Sequence, residues 1–374
     1  MSIEKFNSLH PYASRIKDRF LLNGASPTKK TYHLAITIDP SSFLFHPGDS
    51  IGILVQNDPQ EVDAILKHIG KTGQEEILHP KLHTPVSLWD YLLRTANLSR
   101  ANSAFLKQLI GSENELFLPE NKEKLTSFLH THSVLDLLHH KHKPHFGDHF
   151  DPLKLMPLLP RFYSIANSPL MFPGEIHLAV AYLSYIARGQ IRKGVASHFL
   201  CDLAQVGTTP IPIYLQPTLH FRLPQDPDAS IILVGPGTGI APFRAFLQER
   251  LATKASGRNW LFFGERNRAF DFYYQDFWLA LEKEGRLRLD LAFSRDAQEK
   301  VYVQHRLYEQ RKSIWSWLQE GAYFYVCGDA ENMAKEVEST MLRIFREEGG
   351  HKEDEARAYL RELRQAKRYL TDVY

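Results

Sequence analysis

The first half of the chain carries two different hydrophobic patterns. Between residues 29 and 56, apolar and polar positions alternate around Pro-Gly turns, which is typical of antiparallel strands. From Asp58 to about His142 the apolar positions recur at helical spacing, so this stretch predicts helices. The alternation then returns in three strand-like segments: 161–168, 175–186 and 210–218. The whole pattern favours one β-barrel that is interrupted in sequence by helices.

A different pattern begins after the polar, proline-containing stretch 222–230, which is typical of a linker. Short apolar segments there alternate with helical or looped ones, which predicts βαβ units and a mostly parallel sheet covered on both faces. The apolar segments are IILVG (231–235), NWLFFG (259–264), LRLDLAFS (287–294) and AYFYVCG (322–328). The terminal RYLTDVY (368–374) is interpreted as the end of a helix that runs into a final aromatic residue.

These patterns predict an α+β multidomain protein. An antiparallel β-barrel with an inserted helical connecting domain is followed by an α/β, Rossmann-like domain with a parallel sheet. The expected boundaries are 1–57 and 146–222 for the two parts of the barrel, 58–145 for the helical insertion and 223–374 for the α/β domain.

The α/β half also predicts where a ligand binds, because ligands of parallel sheets lie beyond the carboxyl ends of the strands. Gly235, Gly237 and Gly239 follow the first such strand, and a helix is expected to begin at about Ala241. Free backbone amides and a helix dipole at such a turn suit a pyrophosphate. A purely structural turn is the alternative, since the glycine spacing departs from G-x-G-x-x-G.

Charged and hydroxyl side chains follow the third apolar segment of this half. Ser294, Arg295, Lys300 and Tyr302 offer two cations, two hydroxyls and an aromatic ring. Such a set suits a ribose 2′-phosphate beside an adenine, and it favours NADPH over NADH. A solvated basic loop is the alternative interpretation.

The last apolar segment places Cys327, Gly328 and Asp329 at its carboxyl end. A lone Cys is usually a small core residue. Because this one lies where a ligand of the sheet would reach, a structural role and a functional role both stay open.

The barrel half has candidates of its own. Arg161, Tyr163 and Ser164 lie on one predicted strand and supply a cation, a ring and a hydroxyl, which suit a dinucleotide. Gly194 and Ser197 begin a helix-like stretch, and Ser197 is expected to be its N-cap, with free amides for a second phosphate contact. The two motifs together favour a second bound dinucleotide.

Composition narrows the setting of these sites. The 374 residues suffice for two or three domains, and 43% hydrophobic with 24% charged residues is ordinary for a globular protein. A net charge of +2 makes no case for a nucleic-acid or membrane partner. Cys201 and Cys327 lack metal-site spacing, and neither a signal pattern nor a membrane-spanning apolar run is present. A reducing, cytoplasmic compartment is therefore expected.

The stretch 130–150 is rich in histidine and suggests a metal site as one interpretation. We favour a solvated end of the helical insertion, because no acidic or Cys partner has matching spacing. No metal is therefore expected.

Seven motifs occur in the order found in a known family: RFYSIANS, GVASHFL, GPGTGIAPFRAFLQER, LFFGERN, AFSRDAQEKVYVQHRL, YVCGDAENMAKEVE and the terminal RYLTDVY. With them, the chain from about Pro11 to Tyr374 resembles the ferredoxin-NADP reductase-like half of diflavin reductases. Within that family it is more similar to the flavoprotein subunit of NADPH-dependent sulfite reductase than to cytochrome P450 reductase. The resemblance implies an FAD-binding barrel, a helical connecting insertion and an NADP-binding domain, with FAD and NADPH as cofactors.

The resemblance also implies roles for individual residues. Ser164 would hydrogen-bond near flavin N5, Cys327 and Asp372 would position the nicotinamide, and Tyr374 would stack on the exposed flavin face. The residues implied to hold FAD are Arg161, Tyr163, Ser164, Ala179, Val180, Ala181, Tyr185, Gly194, Val195, Ala196, Ser197 and Tyr374. The residues implied to hold NADPH are Gly235, Thr238, Ser294, Arg295, Lys300, Val301, Tyr302, Val303, Gln304, Asp329 and Glu336. Ala179 replaces a polar residue of the family, and Glu336 replaces an Asp.

The function that the resemblance implies is hydride transfer from NADPH to FAD, followed by electron transfer to an acceptor. Diflavin reductases begin with a flavodoxin-like FMN domain, and nothing before Pro11 is expected to be one. The acceptor is therefore expected to be a separate protein: a flavodoxin, an FMN protein or a sulfite reductase haem subunit. Two alternatives stay open, namely a flavodoxin or ferredoxin reductase of another pathway and a nucleotide-binding subunit without turnover.

Overall fold

The computed structural model describes residues 6–140 and 150–374. Residues 141–149 of the histidine-rich stretch lie outside the described residues, and the interpretation of the stretch stays a prediction. In chain order the strands are β1 (Tyr12–Leu21), β2 (Thr31–Thr37), β3 (Ser50–Ile53), β4 (Glu76–Leu78), β5 (Pro85–Ser87), β6 (Arg161–Ser164), β7 (Glu175–Ala181), β8 (Ser184–Ala187), β9 (Gln190–Lys193), β10 (Pro210–Gln216), β11 (Ile231–Val234), β12 (Asn259–Glu265), β13 (Arg288–Phe293), β14 (Tyr323–Gly328) and β15 (Tyr369–Val373).

Helices fill the space between and around the two main sheets. In the same order they are α1 (Pro59–Ile69), α2 (Leu88–Arg94), α3 (Ser103–Ile110), α4 (Lys122–Thr131), α5 (Val134–His140), α6 (Val195–His198), α7 (Ala241–Ala252), α8 (Arg268–Asp271), α9 (Gln275–Lys283), α10 (Val303–Glu309), α11 (Arg311–Gln319), α12 (Met333–Gly349) and α13 (Glu353–Gln365). Among the described residues, no helix is long and apolar enough to cross a membrane.

The antiparallel strands predicted in the first half form a six-stranded sheet in the order β6-β3-β10-β1-β2-β7. Its inner face is a core of fully buried aliphatic side chains that includes Ile16, Leu34 and Ile51. The expected closed barrel is wrong in one respect, because the described edge strands β6 and β7 share no ladder. Just beyond β6 the Ala166 amide donates to the His177 carbonyl over 2.8 Å, and there the chain turns to meet α7 instead of continuing the pairing.

The predicted helical insertion is confirmed for α1 to α5, and its apolar faces build a separate core. A continuous helical pattern is wrong between α1 and α2, where β4 and β5 form a small antiparallel hairpin. The reason is local: Gly70 ends α1 in the left-handed conformation at φ 66°, and Gly73 repeats a positive φ of 87° three residues later.

The second sheet is parallel in the order β13-β12-β11-β14-β15, and the four strands predicted from the apolar segments are confirmed. The helical interpretation of the terminal segment is wrong. Helix α13 ends at Gln365, Lys367 adopts a left-handed φ of 53°, and β15 then pairs along β14. Burial of Tyr369 and Leu370 against the sheet, together with the backbone bonds of a new edge strand, favours the extended conformation.

Candidate functional site

Side chains from both sheets meet beyond the carboxyl end of β14. Strands β14 and β15 set Cys327 directly beside Asp372. The Ser164 hydroxyl, at the end of β6 in the other sheet, donates to Asp372 Oδ2 over 3.0 Å. Cys327 Sγ lies 3.8 Å from the same oxygen, within reach of a weak S–H donor. Three residues predicted to act together are thus brought together around one carboxylate.

Burial shifts the pKa values of both Asp372 and Cys327. It raises the pKa of Asp372, while the hydrogen bonds from Ser164 and Cys327 oppose that rise. Burial and the neighbouring Asp372 raise the pKa of the Cys327 thiol well above its usual range. Cys327 therefore stays a neutral thiol that donates, and Asp372 is a half-desolvated carboxylate with two donors already in place.

The terminal ring lies on the outer side of this group. Tyr374 donates its backbone N–H to Gly328 O over 3.1 Å, and its carbonyl accepts from the Ala330 amide over 3.2 Å. Its hydroxyl lies 3.1 Å from Thr238 Oγ1, and 64% of the residue remains exposed. The ring is held at its backbone and at its tip, while its faces stay accessible to a flat ligand.

The glycine-rich turn after β11 is shaped by close backbone packing. A Cβ on Gly239 would lie 2.1 Å from the Cys327 carbonyl oxygen, and one on Gly235 would lie 2.6 Å from the Gly239 oxygen. These two glycines therefore have a structural reason to be glycine, which does not conflict with a ligand role. The predicted helix start at Ala241 is confirmed by α7.

Sequence reasoning missed Lys29, which comes from the other domain and reaches this turn. Its Nζ forms an ion pair of 2.9 Å with Glu265 and would lie 3.9 Å from a Cβ on Gly237. Only the docking of the two domains brings this cation to the turn, so no local motif could have indicated it.

The predicted adenosine-phosphate segment is largely at the surface. Arg295, Lys300 and Tyr302 are exposed, and the two cations have no side-chain hydrogen bond or ion pair among the described residues. Ser294 is half-buried, and its hydroxyl donates to Glu265 O over 3.3 Å. Unpaired cations beside hydroxyls leave this surface able to take a phosphate.

Not every predicted side chain of that segment faces outward. Val303 is buried in the core of the α/β domain, so only its backbone is available to a ligand. Val301 packs partly against the same core, and Gln304 is half-buried at the start of α10.

Asp329 and Glu336 occupy the start of α12. The Asp329 carboxylate accepts the amides of Asn332 over 2.8 Å and Met333 over 3.0 Å, and these bonds lower its pKa. Asp329 precedes α12 by four residues, and its carboxylate fixes the turn that leads into the helix. Glu336 is exposed on the first turn of α12.

On the flavin side, the predicted residues of β6 differ in exposure. Arg161 is exposed and donates through Nη1 to the Leu159 carbonyl over 2.8 Å, and within the described part of the chain its other nitrogens have no hydrogen-bond partner. Tyr163 is half-buried, and desolvation raises the pKa of its hydroxyl. Tyr163 packs partly against the core of the antiparallel sheet, whereas Ser164 reaches Asp372.

The predicted residues on β7 and after it divide in the same way. Val180 is fully buried, and Ala179 lies in a small apolar cluster with Ala166 and Ala241 between the two domains. Ala181 is half-buried and Tyr185 is exposed.

The expected N-cap at Ser197 is wrong. Gly194 caps α6, and Ser197 is a buried residue inside the helix. Its hydroxyl donates to the Gly194 carbonyl and accepts from the Leu183 amide, each over 3.1 Å. Ser197 therefore fastens α6 to Leu183, the residue before β8, and the first-turn amides of Val195 and Ala196 remain as phosphate donors.

A cavity of about 470 Å³ lies far from these side chains, at the amino-terminal edge of the parallel sheet. Arg250, Arg258, Arg286 and Arg288 line it, where helices α7, α9 and α11 end. Arg250 donates to the Ala229 and Gly257 carbonyls, Arg258 pairs with Glu320, and Arg288 lies over the Trp260 ring, so these three arginines have partners within the domain.

The residues present fit two dinucleotides. One donor set is an exposed arginine, two hydroxyls and helix-start amides on the antiparallel sheet. The other is a pair of cations, unpaired among the described residues, with hydroxyls on the parallel sheet. Within the described ranges, no cluster of three or more His, Cys, Asp or Glu residues could hold a metal ion.

Comparisons with known proteins match two family models to the chain. A family model described as an FAD binding domain matches residues 4–199, and one described as an oxidoreductase NAD-binding domain matches residues 233–339. The chain is 38% identical over 376 residues to the sulfite reductase [NADPH] flavoprotein alpha-component of Bacillus subtilis, covering 99% of this chain and 62% of the relative. It is 40% identical over 377 residues to the corresponding protein of Vibrio cholerae, covering 99% of this chain and 60% of the relative. The chain thus spans about three fifths of the length of these curated relatives.

Proposed function

Because the chain belongs to the diflavin reductase family, with an FAD-binding and a NAD-binding domain, we propose that it is an NADPH-dependent flavoprotein reductase. In this proposal it takes a hydride from NADPH and passes electrons to a separate acceptor protein. The observation that carries the proposal is the contact between Ser164 and Asp372, which joins the two predicted nucleotide sites at one point.

The proposed binding roles follow from the donor sets. Arg161 and the first amides of α6 hold the diphosphate of FAD, and Tyr163 lies against the flavin. Arg295 and Lys300 bind the 2′-phosphate of NADPH, and the turn around Thr238 takes its pyrophosphate with Lys29 close by. The charge-assisted bonds from Arg295 and Lys300 give the preference for NADPH over NADH.

The proposed chemistry at the meeting point needs few protein groups. When bound, FAD supplies the hydride acceptor N5 and NADPH the hydride donor. Ser164 offers a hydroxyl at that place, and its single proton, donated to Asp372 in this structure, would turn to FAD N5 when FAD is bound. Cys327 lies beside Asp372 as a neutral thiol. The Asp372 carboxylate stabilises the positive charge that develops on the nicotinamide ring. In this half-buried site that stabilisation is stronger than in water. Tyr374 covers the site until a ligand ring replaces it.

We further propose that the acceptor is a protein of the sulfite reductase type. The relatives are described as flavoprotein alpha-components of sulfite reductase, a name that implies a second component of the same enzyme. A haem-containing subunit, a flavodoxin or an FMN protein each fits a reductase that delivers electrons one at a time.

Purification and a cofactor assay test the proposal. The purified protein should be yellow, release FAD on denaturation, and reduce ferricyanide faster with NADPH than with NADH. A colourless protein that takes up no FAD would instead indicate a nucleotide-binding subunit. If FAD is present, the acceptor is sought by comparing cytochrome c, flavodoxin and sulfite reductase haem protein as electron acceptors.

A further inference from the structure

We propose that Arg244 is a positioning residue that fixes the nucleotide-binding helix α7 onto the segment carrying Ser164, and so sets the approach of the two nucleotides. This inference rests on the proposed function. Arg244 lies in the motif GPGTGIAPFRAFLQER, one turn after the start of α7, yet it points away from the predicted pyrophosphate site and into the domain interface.

The guanidinium binds two groups of the other domain through one nitrogen. Nη1 donates to the Ala166 carbonyl over 2.7 Å and lies 3.2 Å from His177 Nδ1. His177 Nε2 lies 2.8 Å from Glu175, so the proton on this ring sits on Nε2 and Nδ1 is free to accept from Arg244. Each group fixes the orientation of the next.

Aromatic rings from both domains surround the cation. The guanidinium carbon lies 4.8 Å from the centre of the Tyr274 ring and 5.6 Å from that of Phe172. Tyr274 belongs to the α/β domain and Phe172 to the FAD-binding domain, so the ring faces are complete only when the domains are docked. Arg244 forms no ion pair among the described residues, and its Nε has no hydrogen-bond partner.

This arrangement defines geometry more than it adds stability. Desolvation lowers the pKa of Arg244, which shows that burial costs the charged form free energy. The bonds to a carbonyl, an imidazole and two ring faces offset that cost only in one relative placement of the domains. A change at Arg244 should therefore disturb docking before it disturbs folding.

The segment that Arg244 contacts also carries Ser164, the hydroxyl proposed to lie at the flavin. Ala166 lies two residues after Ser164, and Ser168 two residues further on. The Ser168 amide donates to Gln248 Oε1 of α7 over 3.0 Å, and its hydroxyl donates to Glu249. Helix α7 thus binds the backbone immediately beyond Ser164, and the glycine-rich turn directly precedes this helix. Arg244 supplies the cation among these contacts, and Glu249 supplies a carboxylate.

The test compares Arg244→Gln and Arg244→Lys with the control Arg250→Gln. Arg250 lies on the same helix, is only 4% exposed, and donates to the Ala229 and Gly257 carbonyls within its own domain. Both glutamine variants therefore remove a buried cation from α7, but one alone removes contacts between domains. Docking is measured without any nucleotide, as hydrogen–deuterium exchange at the Ser168 amide. Function is measured as the rate of flavin reduction at saturating NADPH, beside the Kd for 2′,5′-ADP and the FAD content.

We expect Arg244→Gln to speed exchange at Ser168 and to slow flavin reduction roughly 10- to 100-fold, since small misplacements of reacting groups cost such factors. Its Kd for 2′,5′-ADP and its FAD content should stay within about twofold of the wild type. Arg244→Lys should recover most of the rate because it keeps a cation that reaches Ala166. Unchanged exchange and rate in Arg244→Gln, or equal losses in Arg250→Gln, would overturn the inference. Wild-type protein that binds no FAD would refute the proposed function but leave the exchange experiment to decide the docking role.

Discussion

Ser164 and Asp372 belong to different sheets, and their hydrogen bond of 3.0 Å is the point where the two predicted nucleotide sites meet. The bond requires that β6 and β15 end at the same place, and β15 reaches it only by pairing with β14. A movement of one domain relative to the other that separates β6 from β15 therefore breaks this hydrogen bond.

Replacement of Ser164 by Ala should slow flavin reduction by NADPH roughly 10- to 100-fold, because a positioned hydroxyl donor is lost at the reacting centre. The rate is measured by stopped-flow absorbance at saturating NADPH. Ser14→Ala is the matched control, since it removes another part-buried hydroxyl of the same sheet, bonded to Thr37 O, away from the site. An unchanged rate in Ser164→Ala would exclude the residue from the reaction.

Nucleotide preference should depend on the two exposed cations. Replacement of Arg295 or Lys300 by Ala should lower the preference for NADPH over NADH by roughly 10- to 100-fold each, as one charge-assisted bond is lost. The ratio of kcat/KM for the two nucleotides measures this. Arg286→Ala, an exposed arginine at the opposite edge of the sheet, serves as the control. Equal ratios in all three variants would place the 2′-phosphate elsewhere.

The hydrogen bond between Thr238 and Tyr374 should restrain the terminal ring. Thr238→Val and Tyr374→Phe each remove it, so both should alter the Kd for NADPH in the same direction by about two- to fivefold, and the double variant should match the singles. Fluorescence titration of the three proteins provides the data. Additive effects would mean that the two hydroxyls act independently.

Deletion of Tyr374 should change the choice between NADPH and NADH while leaving the fold intact, as judged by circular dichroism.

A half-buried carboxyl on α1 should make stability depend on pH. Burial raises the pKa of Glu61 from its ordinary 4.5 to about 7, with Asp58 and Asp136 adding to the rise and Arg192 opposing it. Because the folded protein holds this proton more tightly than the unfolded chain, its contribution to stability is lost as pH rises from about 4.5 to 7.

Glu61→Gln should remove this dependence and raise the free energy of unfolding at pH 8 by up to about 3 kcal/mol. Urea unfolding at pH 5 and pH 8 checks both points. The exposed Glu123, on α4 of the same insertion, gives the control variant Glu123→Gln. If wild type and Glu61→Gln share one pH profile, the carboxyl is not titrating in this range.

The sequence predicted the elements that local patterns determine. Four parallel strands were identifiable because each is a short apolar run, and the start of α7 because glycines and a proline precede it. Strand β15 was missed because only its pairing with β14 makes it a strand; the preceding helix continues the polar pattern up to Gln365. Gly194 rather than Ser197 caps α6, since a Leu183 amide competes for the serine hydroxyl.

The contacts between domains were beyond the reach of sequence patterns. Lys29 and Glu265, or Arg244 and Ala166, are far apart in the chain, and each residue alone is an ordinary surface type. These contacts form only when the two domains dock, and docking depends on the shapes of both domains rather than on a local motif.

The close packing of Gly239 limits how coenzyme use in this protein can be redesigned. Even a methyl group there would collide with the Cys327 carbonyl, so the turn cannot be enlarged without displacing the strand that carries the thiol. An engineer who wants an NADH-driven catalyst should therefore leave the turn alone and change the proposed 2′-phosphate site, where Arg295 and Lys300 are exposed to solvent.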